Sequence, residues 1–252
     1  RPTAETNANY QIVTDESALG QLVATLANAD ALTLDTETTH TDPMLAELVG
    51  IALTDEAERG YYVPIKAPPG DPQLPLEIVL TALAPLLKNA QLPKYGHNLK
   101  YDVAVLERAG APVDGLAFDT MLAEWLVNPG SKNLGLKNLA WARLKQQMTP
   151  ISDLIGKGKD QLTMDQVAVE RAAPYACADV DMTHRLAGEL LPELEEKGLW
   201  ALYIEVEMPL IPVLVAMETA GVKLDTAFLG NGNGKSGFRD CIHGGAQKRD
   251  IQ

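Results

Sequence analysis

The spacing of apolar residues at the start of the chain predicts a strand, a helix and then three more strands. Residues 10–14 alternate between apolar and polar side chains, and residues 15–29 carry leucine and valine at helical spacing after Asp15, a good helix cap. Three apolar runs follow, with short or polar connections: Ala31–Glu37, Leu48–Thr54 and Gly60–Ile65. Short connections between strands favour an antiparallel meander.

The middle of the chain alternates between predicted helices and strands. A proline-rich loop at 64–75 leads into a helix at 76–87, and a brief strand at 92–95 leads into a helix at 98–109. Strands that alternate with helices favour parallel pairing. We therefore predict an α/β fold whose mixed sheet is antiparallel in its first three strands, then parallel, and is flanked by helices.

Beyond Phe118 the pattern predicts a helical C-terminal half, with a polar loop at 150–162. The predicted helices are 119–127, 134–145, 164–171, 175–197 and 203–220. Pro174 should break or bend the chain between the third and fourth of these, and Gly221 should end the last.

The composition of the sequence changes sharply after Leu229, where glycine and polar residues replace the apolar helical pattern. We predict a main domain at 1–197, a helix at 198–229 that leads toward a further domain, and an irregular tail at 230–252. Gly234-Lys235-Ser236 superficially resembles a phosphate-binding loop, but the first glycine and the preceding strand of that motif are missing. A shifted reading frame would turn the Gly-Asn repeat of the tail into a helix-forming Glu-Met repeat, a hypothesis that the gene sequence would test.

Composition is that of a globular protein with one main domain and an appendage. The 252 residues are 46% hydrophobic and 22% charged. We find no run of about 18 apolar residues and no signal-peptide pattern, and two cysteines are too few for a disulfide framework or a zinc cage. We therefore expect a cytoplasmic location without membrane contact. The first residue is Arg1 rather than Met, so we interpret the chain as a piece of a longer protein.

The formal net charge of −13 is an objection to a role with nucleic acid. Non-specific binding to phosphates comes mainly from Lys and Arg. An acidic site can still attract phosphate if it first binds cations, and a neighbouring basic domain could supply more positive charge.

Asp35 and Glu37 are the first candidate chemical groups. They are two apart on a predicted strand, so their side chains leave one face about 6.5 to 7 Å apart and one metal can touch both. A polar strand end is the simple alternative. We expect Leu32 and Leu34 to share the face of the acids, where buried carboxylates are costly unless cations compensate.

Three further candidates lie on predicted helices. Asp102 falls one turn inside a helix that Asn98 could cap, and Tyr175 and Asp179 are four apart and therefore neighbours on one helix face. The small residues Ala176, Cys177 and Ala178 should let that face approach another element closely. Alone, each acid could equally be a surface or core residue.

Together these motifs resemble the DEDD exonucleases of the ribonuclease H-like fold, in the subclass with a tyrosine in the last motif. The resemblance rests on Leu34-Asp35-Thr36-Glu37, on residues 96–102 (Gly-His-Asn-Leu-Lys-Tyr-Asp), and on Tyr175 with Asp179. More narrowly, residues 117–122, 155–159 and 205–210 resemble the proofreading domain of bacterial DNA polymerase I. The resemblance runs from about Tyr10 to Leu229.

The resemblance implies a metal-dependent 3′-5′ exonuclease that proofreads DNA and releases nucleoside 5′-monophosphates. By it Asp35 would bridge two Mg²⁺ or Mn²⁺ ions, Glu37 and Asp179 would complete one shell, and Asp102 would help the other through water. Tyr175 would orient the attacking water with Glu37. The implied partners are a single-stranded or frayed 3′ end of DNA and a covalently linked polymerase domain, with no polymerase activity in this chain.

The resemblance also places six residues along the substrate cleft, namely Thr36, Thr41, His97, Asn98, Tyr101 and Met164. A typical member has glutamine at His97 and more hydrophobic residues at Thr41 and Met164, so wedging against terminal bases should be weaker here.

Two other functions stay open. The acidic motifs do not indicate whether the substrate is DNA or RNA, so RNA trimming like that of ribonuclease D is one alternative. The polymerase-type segment at 204–224 argues against it. A non-catalytic module that braces a polymerase is the other, and the presence of every acid argues against it.

Overall fold

A six-stranded mixed sheet forms the centre of the structure, a computed structural model that describes residues 8–225. Its strands are β1 Asn9–Ile12, β2 Leu32–Thr38, β3 Leu48–Thr54, β4 Arg59–Pro64, β5 Lys94–Gly96 and β6 Leu116–Asp119. They lie in the order β1-β4-β3-β2-β5-β6. The pairs β2/β3 and β3/β4 are antiparallel, whereas β2/β5, β5/β6 and β1/β4 are parallel.

The predicted α/β class and mixed sheet are confirmed, with two corrections. The meander of β2 to β4 is antiparallel as predicted, but the first strand of the chain, β1, pairs in parallel with β4 at the edge. β6 was not predicted, because a four-residue strand that is only half buried has too few positions to show a period.

Nine α-helical segments surround the sheet within the described residues. They are α1 Glu16–Leu26, α2 Leu76–Leu87, α3 Leu99–Arg108, α4 Thr120–Val127, α5 Leu136–Leu139, α6 Ile151–Ile155, α7 Val169–Glu196, α8 Trp200–Leu202 and α9 Met208–Ala220. π-helical turns at Ala140–Leu144 and Tyr203–Glu207 continue α5 and α8. The Asp15 side chain caps α1 by accepting from the Ala18 N–H at 2.8 Å, as predicted.

The helical half differs from its prediction at two places. α7 runs without a break through Pro174, which lies in its second turn, where one missing N–H removes a single hydrogen bond. The predicted helix at 164–171 is a 3₁₀ turn at Met164–Gln166 followed by the start of α7. The polar loop at 150–162 also contains the short helix α6.

α7 packs across one face of the sheet, and this packing positions the site. A side chain at Gly60 of β4 would place its Cβ 2.7 Å from the Cβ of Cys177 on α7, so only glycine permits this approach. The close approach predicted for the small residues 176–178 is therefore confirmed. The other face of the sheet packs on α1 and α2 through buried leucines that include Leu19, Leu26 and Leu83.

The segment from α8 to α9 carries the most exposed apolar surface of the described helices. Trp200–Ala220 has a mean hydropathy of 1.6 and is 22% buried, so by length and composition alone it could cross a membrane. Glu205 and Glu207 interrupt the segment, so it is not an unbroken run of about 18 apolar residues, and the sequence contains none. Because core helices of soluble proteins pass the same length and composition test, this apolar segment does not by itself indicate a membrane span.

The chain divides into two compact units, Arg1–Thr219 and Ala220–Gln252. The first contains the whole sheet. In the second, the described residues hold the end of α9 and the following Gly221, whose φ of 66° suits the predicted glycine cap. The boundary predicted at 197/198 stays a prediction, and the tail at 230–252 lies outside the described residues.

Candidate active site

Asp35 and Glu37 lie on the face of β2 that α7 covers. Residues two apart on a strand share a face, and Thr33, on the same face, hydrogen-bonds through Oγ1 to His184 Nδ1 of α7 at 2.9 Å. Glu37 is buried and Asp35 is half-buried. The strand therefore presents both carboxylates to the junction between the sheet and α7.

The expectation that Leu32 and Leu34 share this face was wrong. They alternate with the acids rather than being in phase with them, so they point to the opposite side. Both leucines are buried in the main hydrophobic core. β2 thus has an apolar face with Leu32 and Leu34 and a polar face with the candidate catalytic residues Asp35 and Glu37.

α7 supplies the third acid. Asp179 faces β2, and the carboxylate oxygens of Asp35, Glu37 and Asp179 lie within 4.8 Å of one another. Tyr175 lies one turn earlier on the same helix. The structure therefore brings three of the four predicted metal-binding acids into one cluster with the predicted tyrosine beside it. We call Asp35, Glu37 and Asp179 the acid cluster.

Asp102 lies beside the acid cluster on α3. Its Oδ1 accepts hydrogen bonds from the Thr36 backbone N–H at 2.9 Å and from the Thr36 hydroxyl at 2.6 Å, so it is held against β2. Burial raises its pKa to about 7, and the bonds from Thr36 oppose this rise. Its charge in turn raises the pKa of Asp35.

The acid cluster is electrostatically unfavourable without cations. Burial and the neighbouring carboxylates raise the pKa of Asp35 well above its ordinary value, and burial with the Asp179 charge raises that of Glu37 to about 8. Burial also raises the pKa of Asp179. Desolvated carboxylates this close resist ionisation unless positive charge joins them.

The residues present fit a hard divalent cation. Glu37 Oε1 is buried and has no hydrogen-bond partner within the part of the chain that the structure describes. The donors of the acid cluster are all carboxylate oxygens, the ligands that Mg²⁺ and Mn²⁺ prefer. An unpaired buried oxygen in such a set is explained by a ligand that the protein itself does not supply.

Lys137 of α5 is a site residue that the sequence did not reveal. Its Nζ donates to both carboxylate oxygens of Asp179 at 3.0 and 3.1 Å and lies 4.3 Å from the ring centroid of Tyr175. A single lysine in a short helix leaves no local signal, because only the fold brings α5 to α7.

Asp119 lies in one of the segments that resemble the polymerase I proofreading domain, but the sequence did not predict its structural role. The prediction that Asn98 caps α3 was wrong: Asn98 adopts a left-handed conformation with φ 65°, and its side chain makes no capping bond. Asp119 instead accepts from the Asn98 and Leu99 N–H groups at 3.2 and 2.7 Å. The Asn98 side chain is therefore not committed to its helix.

An open cleft of about 680 Å³ adjoins Glu37. Five of the six residues predicted to bind substrate line it, namely Thr36, Thr41, Asn98, Tyr101 and Met164. The far wall comes from the predicted polar loop at 150–162 and the residue after it: Ile151, Ile155, Gln161, Leu162 and Thr163. The volume is typical of small-ligand sites.

His97, the sixth predicted residue, does not line this cleft. Its Nδ1 hydrogen-bonds the Thr120 hydroxyl at 2.8 Å, while Nε2 is buried without a partner among residues 8–225. Burial lowers its pKa to about 4, so the ring is neutral near pH 7.

A family described as 3′-5′ exonuclease matches residues 10–195, which contain every acid of the site. The chain belongs to this 3′-5′ exonuclease family.

Relatives of this exonuclease domain are bacterial polymerases. It is 45% identical over 232 residues to DNA polymerase I of Chloroflexus aurantiacus, covering 91% of this chain and 24% of the relative. It is 36% identical over 231 residues to DNA polymerase I of Pseudomonas aeruginosa, covering 90% and 25%. The chain thus spans about a quarter of the length of these curated relatives.

Solved structures share the fold of the exonuclease domain at low identity. The POL domain of Pol1 from M. smegmatis, in complex with DNA primer-template and dNTP, has a TM-score of 0.69 at 21% identity, covering 88% of this chain and 34% of that one. Escherichia coli RNase D has a TM-score of 0.65 at 20% identity, covering 83% and 51%. Brucella melitensis NrnC with bound Mg²⁺ has a TM-score of 0.60 at 22% identity, covering 77% and 87%. The ribonuclease H-like fold expected from the motifs is confirmed.

Proposed function

We propose that this exonuclease domain hydrolyses DNA from the 3′ end to nucleoside 5′-monophosphates and thereby proofreads for a polymerase. The observation that carries the proposal is the acid cluster, three carboxylates within 4.8 Å of one another, two buried and one half-buried, beside an open cleft. Such a cluster suits phosphodiester hydrolysis, because divalent ions held there would face the substrate phosphate.

In this proposal Asp35, Glu37 and Asp179 would hold one Mg²⁺ or Mn²⁺ ion, and Asp35 with Asp102 would help to hold a second. The bound ions would lower the pKa of a water and stabilise the attacking and departing oxygens. Mg²⁺ bound to the structurally similar NrnC supports this choice of ion.

Tyr175 would position the attacking water together with Glu37. Burial and the charges of Asp179 and Glu37 raise the pKa of Tyr175, so its hydroxyl stays protonated and can both donate and accept. The carboxylate of Glu37 would accept a hydrogen bond from the water. Neither residue needs to change its charge to orient the nucleophile.

The cleft would hold the terminal nucleotides. Asn98 and Thr36 offer polar groups, whereas Tyr101 and Met164 offer surfaces for sugar and base. The Tyr101 hydroxyl bonds the Thr38 hydroxyl and donates to the His40 carbonyl, which fixes its ring at the cleft rim. His97 lies outside the cleft lining, and its Nε2, which is buried without a partner among the described residues, is the only ring nitrogen left for a contact with substrate.

DNA is the favoured substrate because both relatives described above are DNA polymerases. RNA trimming is the second candidate, since E. coli RNase D, an exoribonuclease involved in structured RNA processing, shares the fold. A non-catalytic brace is disfavoured, because such a module would have no need of a buried acid cluster.

We further infer that the domain works in the cytoplasm within a longer polymerase, with residues 198–229 leading toward the polymerase domain. The coverage of about a quarter of each relative supports this inference. Because the net charge is −13, the isolated domain should bind DNA weakly and need high substrate concentrations.

Matched single-stranded DNA and RNA oligonucleotides with a 5′ label test the proposal. We expect stepwise shortening of DNA from the 3′ end in Mg²⁺ or Mn²⁺, no reaction in chelator, and slower shortening of RNA. Asp35→Ala should lower the rate at least about 100-fold, because it removes the shared ligand. Activity in chelator, or an undiminished rate in Asp35→Ala, would refute the metal assignment, and faster RNA cleavage would refute the substrate.

A further inference from the structure

Lys137 places a positive charge directly against the acid cluster. Its ammonium contacts both oxygens of Asp179 and lies over the Tyr175 ring. The side chain of Lys137 is 29% exposed, and that of Asp179 is 11% exposed. Across the described residues, no other lysine or arginine forms an ion pair with a cluster acid.

The charge of Lys137 acts on all three cluster acids. It opposes the rise in pKa that burial imposes on Asp35, Glu37 and Asp179. The single positive charge of Lys137 therefore stabilises the ionised form of the cluster acids, as the two charges of a bound divalent cation would.

Packing does not require a lysine at this position. α5 is anchored by Leu136, Leu139 and Ala140, all buried in the main core. A partly exposed ion pair contributes little to folding, so Lys137 is not needed to fix the helix. What distinguishes Lys137 is where its charge lies.

We propose that Lys137 is a built-in counter-cation that competes with a divalent ion for Asp179. It neutralises part of the acid cluster when no metal is bound, and it weakens metal binding by repelling the incoming ion. This inference rests on the proposed metal-dependent function. Lys137 acts here through Asp179 and is a positioning residue rather than a catalytic one.

The competition predicts that removing the charge tightens metal binding. Two like charges a few ångströms apart in a partly buried site repel strongly, so we expect Lys137→Met to bind Mn²⁺ about tenfold more tightly than the wild type. Isothermal titration calorimetry with Mn²⁺ alone measures this directly. In chelator, Lys137→Met should melt at a lower temperature, and Mn²⁺ should raise its midpoint by more than that of the wild type.

Three further variants separate charge from shape. Lys137→Arg keeps the charge and should bind Mn²⁺ within about threefold of the wild type. Lys137→Gln keeps an N–H donor for Asp179 without the charge and should bind Mn²⁺ more tightly than the wild type. This variant also replaces Lys137→Met in the test if the latter folds poorly. Lys88→Met removes an exposed lysine at the end of α2 and should leave affinity unchanged.

The outcomes distinguish this inference from the proposed function. If the wild type binds Mn²⁺ and the Met and Gln variants bind it equally or more weakly, Lys137 is a structural brace and the competition is refuted. If neither the wild type nor the variants bind Mn²⁺, the metal-dependent function itself fails.

Discussion

Asp119 and the acid cluster solve the same electrostatic problem, carboxylates with little access to water, in opposite ways. Asp119 receives four backbone N–H groups, from Asn98 and Leu99 at the start of α3 and from Met121 and Leu122 at the start of α4. In the acid cluster, Lys137 pairs with Asp179, while Glu37 Oε1 has no hydrogen-bond partner among the described residues.

The contrast shows that a raised pKa does not by itself identify a functional acid. Burial raises the pKa of Asp119 as well as those of the cluster acids. What differs is the supply of donors: a carboxylate that the backbone satisfies organises the fold, whereas one that the protein leaves unsatisfied fits an external cation.

The largest expected effect is an opposite response of the two groups to mutation. Asp119→Ala leaves four helix-end N–H groups without their acceptor and should lower the free energy of unfolding by about 3 kcal/mol. Asp35→Asn removes repulsion from the acid cluster and should leave stability in chelator unchanged or higher. Urea unfolding of both variants in chelator measures the difference. Equal destabilisation by the two changes would abolish the distinction.

A pH dependence should separate the groups next. Burial raises the pKa of Glu37 to about 8 and that of Asp102 to about 7. At pH values between the ordinary carboxyl pKa and these raised values, the folded state binds more protons than the unfolded state. The free energy of unfolding in chelator should therefore fall as pH rises from about 5 to about 8, by up to about 1.4 kcal/mol per pH unit for each group. Urea titrations at several pH values measure it.

Saturating Mg²⁺ provides the control for this pH dependence. A bound cation favours the ionised carboxylates, so stability should then vary little over the same range. Glu37→Gln in chelator should flatten part of the slope, because one of the titrating groups is gone. A stability in chelator that rises with pH would contradict the raised pKa values.

The sequence predicted most of what periodicity encodes. The predicted bounds of β3 and α2 match the structure. Asp35, Glu37 and Asp179 form one cluster, and Asp102 is hydrogen-bonded to Thr36 beside it. Lys137, the double cap at Asp119 and the parallel pairing of β1 were not foreseen, because each depends on contacts between residues far apart in the chain. The break predicted at Pro174 was wrong for a related reason: the packing of α7 against the sheet outweighs a local helix-breaking preference.

A pair of tyrosines gives the smallest and most selective test of the comparison. Tyr175 lies beside the acid cluster, whereas the Tyr203 hydroxyl accepts from the Asp119 N–H at 2.6 Å and donates to the Asp119 carbonyl at 3.1 Å. Tyr175→Phe should lower the rate of 3′ nucleotide release at least about tenfold with Mn²⁺ affinity and stability nearly unchanged, because only the orientation of water is lost.

Tyr203→Phe is the matched control, since it deletes the same atom from an equally aromatic site. It leaves the Asp119 backbone groups unpaired in the core and should lower the free energy of unfolding by about 1 to 2 kcal/mol, with the rate per folded molecule little changed. Single-turnover rates and urea unfolding of both variants measure the two effects. A rate loss in Tyr203→Phe as large as in Tyr175→Phe would mean that the cap and the acid cluster act as one unit, and that their division into structural and functional carboxylates is wrong.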